Sequence, residues 1–84
     1  MDERLNDLVE DLEISVRAWN ILHQAGIVYV GELVQWSAED LLDRPSSSKK
    51  IVDELREFVT GMGLALGTEL PEWQRPDGAP VARP

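Results

Sequence analysis

Between residues 51 and 62 the apolar positions fall on one face of a helix. Ile51, Leu55, Phe58, Val59 and Met62 stand at i, i+4, i+7, i+8 and i+11, the spacing of a 3.6-residue repeat. Ser46, Ser47 and Ser48 precede this stripe and offer hydroxyls for an N-cap. Gly61 and Gly63 can close the helix, and Leu64 and Leu66 can fold back onto the core. Upstream, Leu5, Leu8, Val9 and Leu12 repeat at i, i+3, i+4 and i+7, which predicts a short amphipathic helix or turn. Ser15 can cap a second helix over residues 16–25, with Gly26 as its left-handed terminator. Within that helix Val16, Trp19 and Leu22 share a face, which predicts Trp19 buried against the long helix near Leu55 or Phe58. Arg17, Asn20 and Ile21 occupy another face.

The stretch GIVYVGELVQW (26–36) holds a short β-branched run between two glycines and reads as a tight hairpin entering a short helix at 31–35. Ser37 and Asp40 form a near capping box. The helix it opens ends near Asp43, ahead of Pro45. No credible strand remains, so the expected fold is all-α, a compact domain of four or five helices. Residues 1–10 read as an acidic N-terminal extension or short helix, and 11–73 as the helical domain. Residues 74–84 read as a flexible proline-rich tail, just after Trp73, which can still pack.

Charge changes the picture more than composition does. The sequence holds 8 basic and 16 acidic residues, a net charge of −8, which disfavours generic nucleic-acid binding. The acids are concentrated at the ends, and residues 14–52 balance Glu32, Glu39, Asp40 and Asp43 against Arg17, Arg44, Lys49 and Lys50. A local basic patch can therefore survive. Lys49 and Lys50 fall at the start of the long helix, where free N–H groups already favour an anion.

Candidate chemistry is sparse. His23 has no metal-ligand partner at useful spacing. The three serines lack a nearby base, and no glycine loop of the phosphate-cradling kinds is present. Glu39, Asp40 and Asp43 read as a solvated helix face. These features argue against catalysis, a cofactor, a metal or a small-molecule substrate. There is no cysteine, no apolar run of membrane-spanning length, and an acidic N-terminus in place of a basic leader. The expected compartment is the cytoplasm.

Across residues 11–73 the sequence resembles the C-terminal domain of the bacterial RNA polymerase alpha subunit. The resemblance is carried by DLEISVRAWNIL (11–22), IVYVGELVQ (27–35), LLDRP (41–45), the lysine pair (49–50) and GLALGTELPEW (63–73). It implies a helical domain with two helix-hairpin-helix-like turns that binds the minor groove of A·T-rich promoter DNA (upstream elements). It also implies contacts with the sigma factor, activators and the rest of the polymerase. Carried over by position, Arg17 matches the groove-entering arginine, Asn20 the groove-facing asparagine and Lys50 the phosphate-binding lysine. Ile21, Ser47, Ser48 and Lys49 fall in the same surface. Glu10, Asp11 and Glu13 align with the sigma-facing acidic patch, and Ser37, Glu39 and Asp40 with the activator-facing surface. Such a module would be nucleoid-associated and would not touch membranes.

The sequence departs from the pattern at four places. Ser47-Ser48 stands for Leu-Gly, Ile51 for a hydroxyl residue, Ile21 for cysteine, and Trp19 for a small residue. Two functions stay open on these residues. One is a weak, A·T-preferring DNA-binding module. The other is a protein-interaction module on the same fold, meeting its partners through acidic surface.

Overall fold

A computed structural model of the protein describes residues 2–84. Serines start three of its four helices. Ser15 caps α1 (Val16–Gln24), accepting from the Ala18 N–H at 3.1 Å. Ser37 caps α3 (Ala38–Leu42) in a complete capping box. Its Oγ accepts from the Asp40 N–H and its own N–H donates to Asp40 Oδ2, both at 3.0 Å. Ser48 caps α4 (Lys49–Gly61), accepting from the Ile51 N–H at 3.3 Å. The remaining helix, α2 (Val30–Leu33), is a single turn whose entry is held by Glu32, which accepts from the Tyr29 N–H.

The two longer helices end alike. At α1, Gly26 (φ +77°) donates to His23 O and Ile27 to Leu22 O. At α4, Gly63 (φ +80°) donates to Thr60 O and Leu64 to Val59 O. Each is a Schellman closure, with a buried apolar pair across it at α1 (Leu22 and Ile27).

Residues 3–12 form two 3₁₀ turns, Glu3–Asn6 and Val9–Asp11, which bury Leu5 and Val9. The extended residues before α2 do not make a local hairpin. They pair with the N-terminus instead: Val9 donates to Val28 O at 2.8 Å and Val30 to Asp7 O at 2.9 Å, around an isolated antiparallel bridge between Leu8 and Tyr29. Among the described residues no strand exists beyond that bridge, so the expected all-α fold holds. α4 packs on α1 and α3, and the first 3₁₀ turn packs on α2. The core runs through Ala18, Leu22, Ile27, Val30, Leu33, Leu41, Leu55 and Val59.

Two further expectations are corrected. Trp19 is not a core residue. It is only half-buried and stacks on His23, ring centroids 4.8 Å apart, while Val16 is 74% exposed. The face that packs is Ala18, Ile21, Leu22 and Ala25, an unbroken i, i+3, i+4, i+7 stripe. Ala18, wholly buried, belongs to that packed face, and the bulky indole beside it is left partly outside. Trp19→Ala should therefore cost about 1 kcal/mol in urea melts, against the ~3–5 kcal/mol of a core tryptophan.

The other correction is the tail. Residues 74–84, expected to trail flexibly, lie on the domain. Arg75 reaches Glu32 Oε2 at 3.3 Å and covers the Tyr29 ring at 5.4 Å. Its hydrogen bonds to Asp77 hold that carboxyl below its ordinary value. Ala82 donates to Glu32 and accepts from the Trp36 indole N–H. The radius of gyration, 11.5 Å, matches the about 12 Å expected of a compact domain of this length.

Candidate nucleic-acid interface

α1 presents Arg17, Asn20 and Gln24 at i, i+3 and i+7, and all three are exposed. Ile21 lies between them but is only 2% exposed, so it forms the floor of this surface and does not project from it. That corrects its place among the contact residues: as a member of the packed stripe it is turned toward the core.

The facing wall is the turn into α4. Ser47 donates its N–H to Arg44 O at 3.1 Å, and Ser46 takes a left-handed conformation (φ +65°) to reverse the backbone. Arg44 steadies the turn by donating to the Gln24 carbonyl at 3.4 Å, across to the end of α1. Between these walls lies an open depression of about 410 Å³, lined by Arg17, Asn20, Ile21, Gln24, Ser46, Ser48 and Ile51.

The structure thus brings four of the expected residues together: Arg17, Asn20, Ser48 and, as floor, Ile21. Ser47 stands apart, its hydroxyl oxygen buried and without a partner among the described residues. Lys49 and Lys50 occupy the first two positions of α4 and are exposed, but they line neighbouring hollows. Lys50 stands with Asp53, Glu54 and Glu57, and Lys49 also borders the α3–α4 groove with Glu39, Leu42 and Arg56. What the start of α4 does present is backbone. Its Ser48 hydroxyl takes the Ile51 N–H, and the N–H groups of Ser48, Lys49 and Lys50 find no acceptor among the described residues. Such groups attract anions.

Two contributors lie outside the expected set. Glu54 accepts from the Ser15 N–H and from Ser15 Oγ, both at 2.7 Å, and so ties α4 to the start of α1 and fixes the two walls against each other. In sequence it reads only as an i+4 partner for Lys50. Gln24 is legible in principle, since it continues the Arg17–Asn20 face by another turn. Glu10, Asp11, Glu13 and Glu39 are exposed or nearly so. The Asp40 carboxylate is engaged in the α3 capping box. Among the described residues no group of three or more potential metal ligands occurs, and no helix is long and apolar enough to cross a membrane.

Fold and surface define a small helical domain, with a polar depression where a helix face meets a helix start. The sequence profile of the C-terminal domain of the bacterial RNA polymerase alpha subunit matches residues 1–61. The protein belongs to that family, a non-catalytic module of the transcription machinery. The match takes in residues 1–10, in keeping with the burial of Leu5 and Val9, and stops at the end of α4.

Proposed function

We propose that this domain binds A·T-rich double-stranded DNA weakly, in the minor groove, as part of promoter recognition by RNA polymerase. The observation that supports the reading is the depression in which Arg17, Asn20 and Ser48 meet beside the unpaired amides of α4. A narrow A·T minor groove concentrates negative potential, which draws in an arginine. Asn20 and Gln24 add hydrogen-bonding reach toward base edges, while amides at the helix start hold the flanking phosphate. The Ser48, Lys49 and Lys50 amides and the two lysine side chains make up this phosphate contact, while Ser47, its own N–H given to Arg44, shapes the turn that presents them. The acidic residues Glu10, Asp11 and Glu13, with Ser37, Glu39 and Asp40, are the surfaces offered to sigma factor, activators or other parts of the polymerase.

The cluster of Asp53, Glu54 and Glu57 around Lys50 supports a second reading, in which protein contact is the main function and DNA contact is vestigial. An NMR titration with an A·T-rich duplex at low salt separates the two. The DNA reading expects shifts confined to residues 17–24 and 46–51. Absence of shifts at millimolar duplex leaves the protein-contact reading.

Variants refine the test. Two to three phosphate contacts imply a slope of only about −2 to −3 in log K against log salt, and affinity near 10⁻⁴ M or weaker, roughly that of non-specific binding at physiological salt. Arg17→Ala should abolish the A·T preference. Lys50→Ala should weaken binding to all sequences alike and flatten the salt slope by about one unit. A pair of variants behaving the other way round would refute the minor-groove assignment.

A further inference from the structure

Residues 79–84 lie outside the stretch that matches the family, and the DNA reading makes no use of them. They meet the domain at a defined place. Ala82 is held by both of its backbone polar groups: its N–H donates to Glu32 Oε2 at 2.7 Å, and its C=O accepts from Trp36 Nε1 at 3.0 Å. Arg83 donates to Gln35 Oε1. The Ala82 methyl fits over Gly26, where an added Cβ would stand 3.9 Å away. Val81 and Ala82 pack half-buried against the core. Reading the N–H and C=O of a single residue is how extended peptides are bound irrespective of side chain, and neighbouring pockets then supply selectivity.

The clamp can release the tail without orphaning its carboxylate. Arg75 has its own anchorage, on Glu32, Asp77 and the Tyr29 ring. Beyond Asp77 the backbone turns through Gly78 (φ +79°), and the Ala79 N–H bonds only back to Asp77. Residues 79–84 can lift from that point while Arg75 stays paired with Glu32.

We propose that Glu32 and Trp36 form a backbone-reading clamp for an extended peptide, filled in cis by the tail, and open to a partner-protein segment of the same chemistry: a β-branched residue, a small residue, then arginine. The tail is then an internal competitor. On so short a tether it acts at an effective concentration in roughly the millimolar range, so a partner must outbid it.

The test uses the 84-residue protein, ¹⁵N-labelled, and the acetylated peptide GAPVARP, which copies residues 78–84. It is titrated into the parent and into Ala82→Pro, which lacks the N–H that Glu32 accepts. In the variant the peptide should produce saturable shifts at the Trp36 indole N–H and at the Val28 and Tyr29 amides, which share the Glu32 carboxylate. Its midpoint should be at least tenfold lower than in the parent. The same peptide with proline in place of its second alanine should not bind. Absence of saturable shifts in the variant at millimolar peptide, equal midpoints in the two proteins, or equal binding of the proline peptide would overturn the proposal. So would loss of native dispersion in Ala82→Pro, which would make the tail a fixed part of the core.

Discussion

Glu32→Ala is expected to destabilise the domain by about 3–5 kcal/mol, the range for breaking a buried charge pair by removing one partner. Glu32 is wholly buried, and its carboxylate gathers four donors. Oε1 takes the Val28 and Tyr29 N–H groups at 2.9 and 3.0 Å, and Oε2 takes Arg75 and the Ala82 N–H. Truncation leaves a largely buried guanidinium without its buried partner, and three amides without an acceptor. Each unsatisfied buried group costs about 1–3 kcal/mol. Arg75 keeps Asp77, and the tail can move to admit water, which is why the expected loss stays below the sum. A domain of this size has about 5–10 kcal/mol in all, so the variant should be near the edge of folding at 37 °C. Glu32→Gln keeps an acceptor but loses the charge opposite Arg75, and should fall between the two. Guanidinium melts followed by circular dichroism measure both. A loss below about 1 kcal/mol for Glu32→Ala would show that water replaces the carboxylate at little cost.

Glu32 also marks the limit of what can be read from residues in order. Its surroundings in sequence, a glycine before it and an apolar pair after it, describe an ordinary short-helix acid. Two of the donors that make it central lie 43 and 50 positions away. The tail is illegible for a related reason. Proline and glycine report that a segment will not be a helix, and say nothing of whether its amides and apolar side groups find partners. Trp19 shows that hydrophobic size is a weaker guide than continuity of the stripe: the small, wholly buried Ala18 belongs to the packed face and the larger indole next to it does not. Local chemistry is legible. The serine caps of α1, α3 and α4, the glycine closures and the apolar face of α4 depend on residues three or four apart, and they stand where the spacing put them.

The candidate interface divides along the same line. Arg17 and Asn20 belong to one helix, so their shared face follows from i, i+3 spacing. The second wall requires the 44–48 turn to fold back on α1, and that depends on Arg44 reaching Gln24 and on Glu54 reaching Ser15. The direction of the two lysine side groups depends on which acids surround them. The proposed anion contact therefore rests more firmly on the backbone amides at the start of α4 than on the ammonium groups beside them.

Gly31→Ala should destabilise by about 2–3 kcal/mol, at the upper end of the usual overpacking range, although helix propensity alone would favour alanine by about 0.5–1 kcal/mol. Gly31 sits within α2 with no left-handed backbone to explain it. Its reason is close approach: a Cβ there would lie 2.4, 2.5 and 2.8 Å from Cε2, Cζ2 and Cδ2 of Trp73. The indole cannot easily give way. It is 4% exposed, donates to Asn6 Oδ1 at 3.1 Å and meets the Tyr29 ring edge-on, with Arg75 over that ring. Alanine must therefore expel the indole or push α2 away from it. Expulsion should show as a red shift in tryptophan emission together with a lower melting temperature. A double-mutant cycle separates the two effects. Trp73→Ala alone should cost about 3–5 kcal/mol through the cavity it leaves. On that background Gly31→Ala meets no ring, and should become neutral or stabilising by up to about 1 kcal/mol as helix propensity takes over. Equal losses for Gly31→Ala in the two backgrounds would place its cost in the backbone, not in the ring above it.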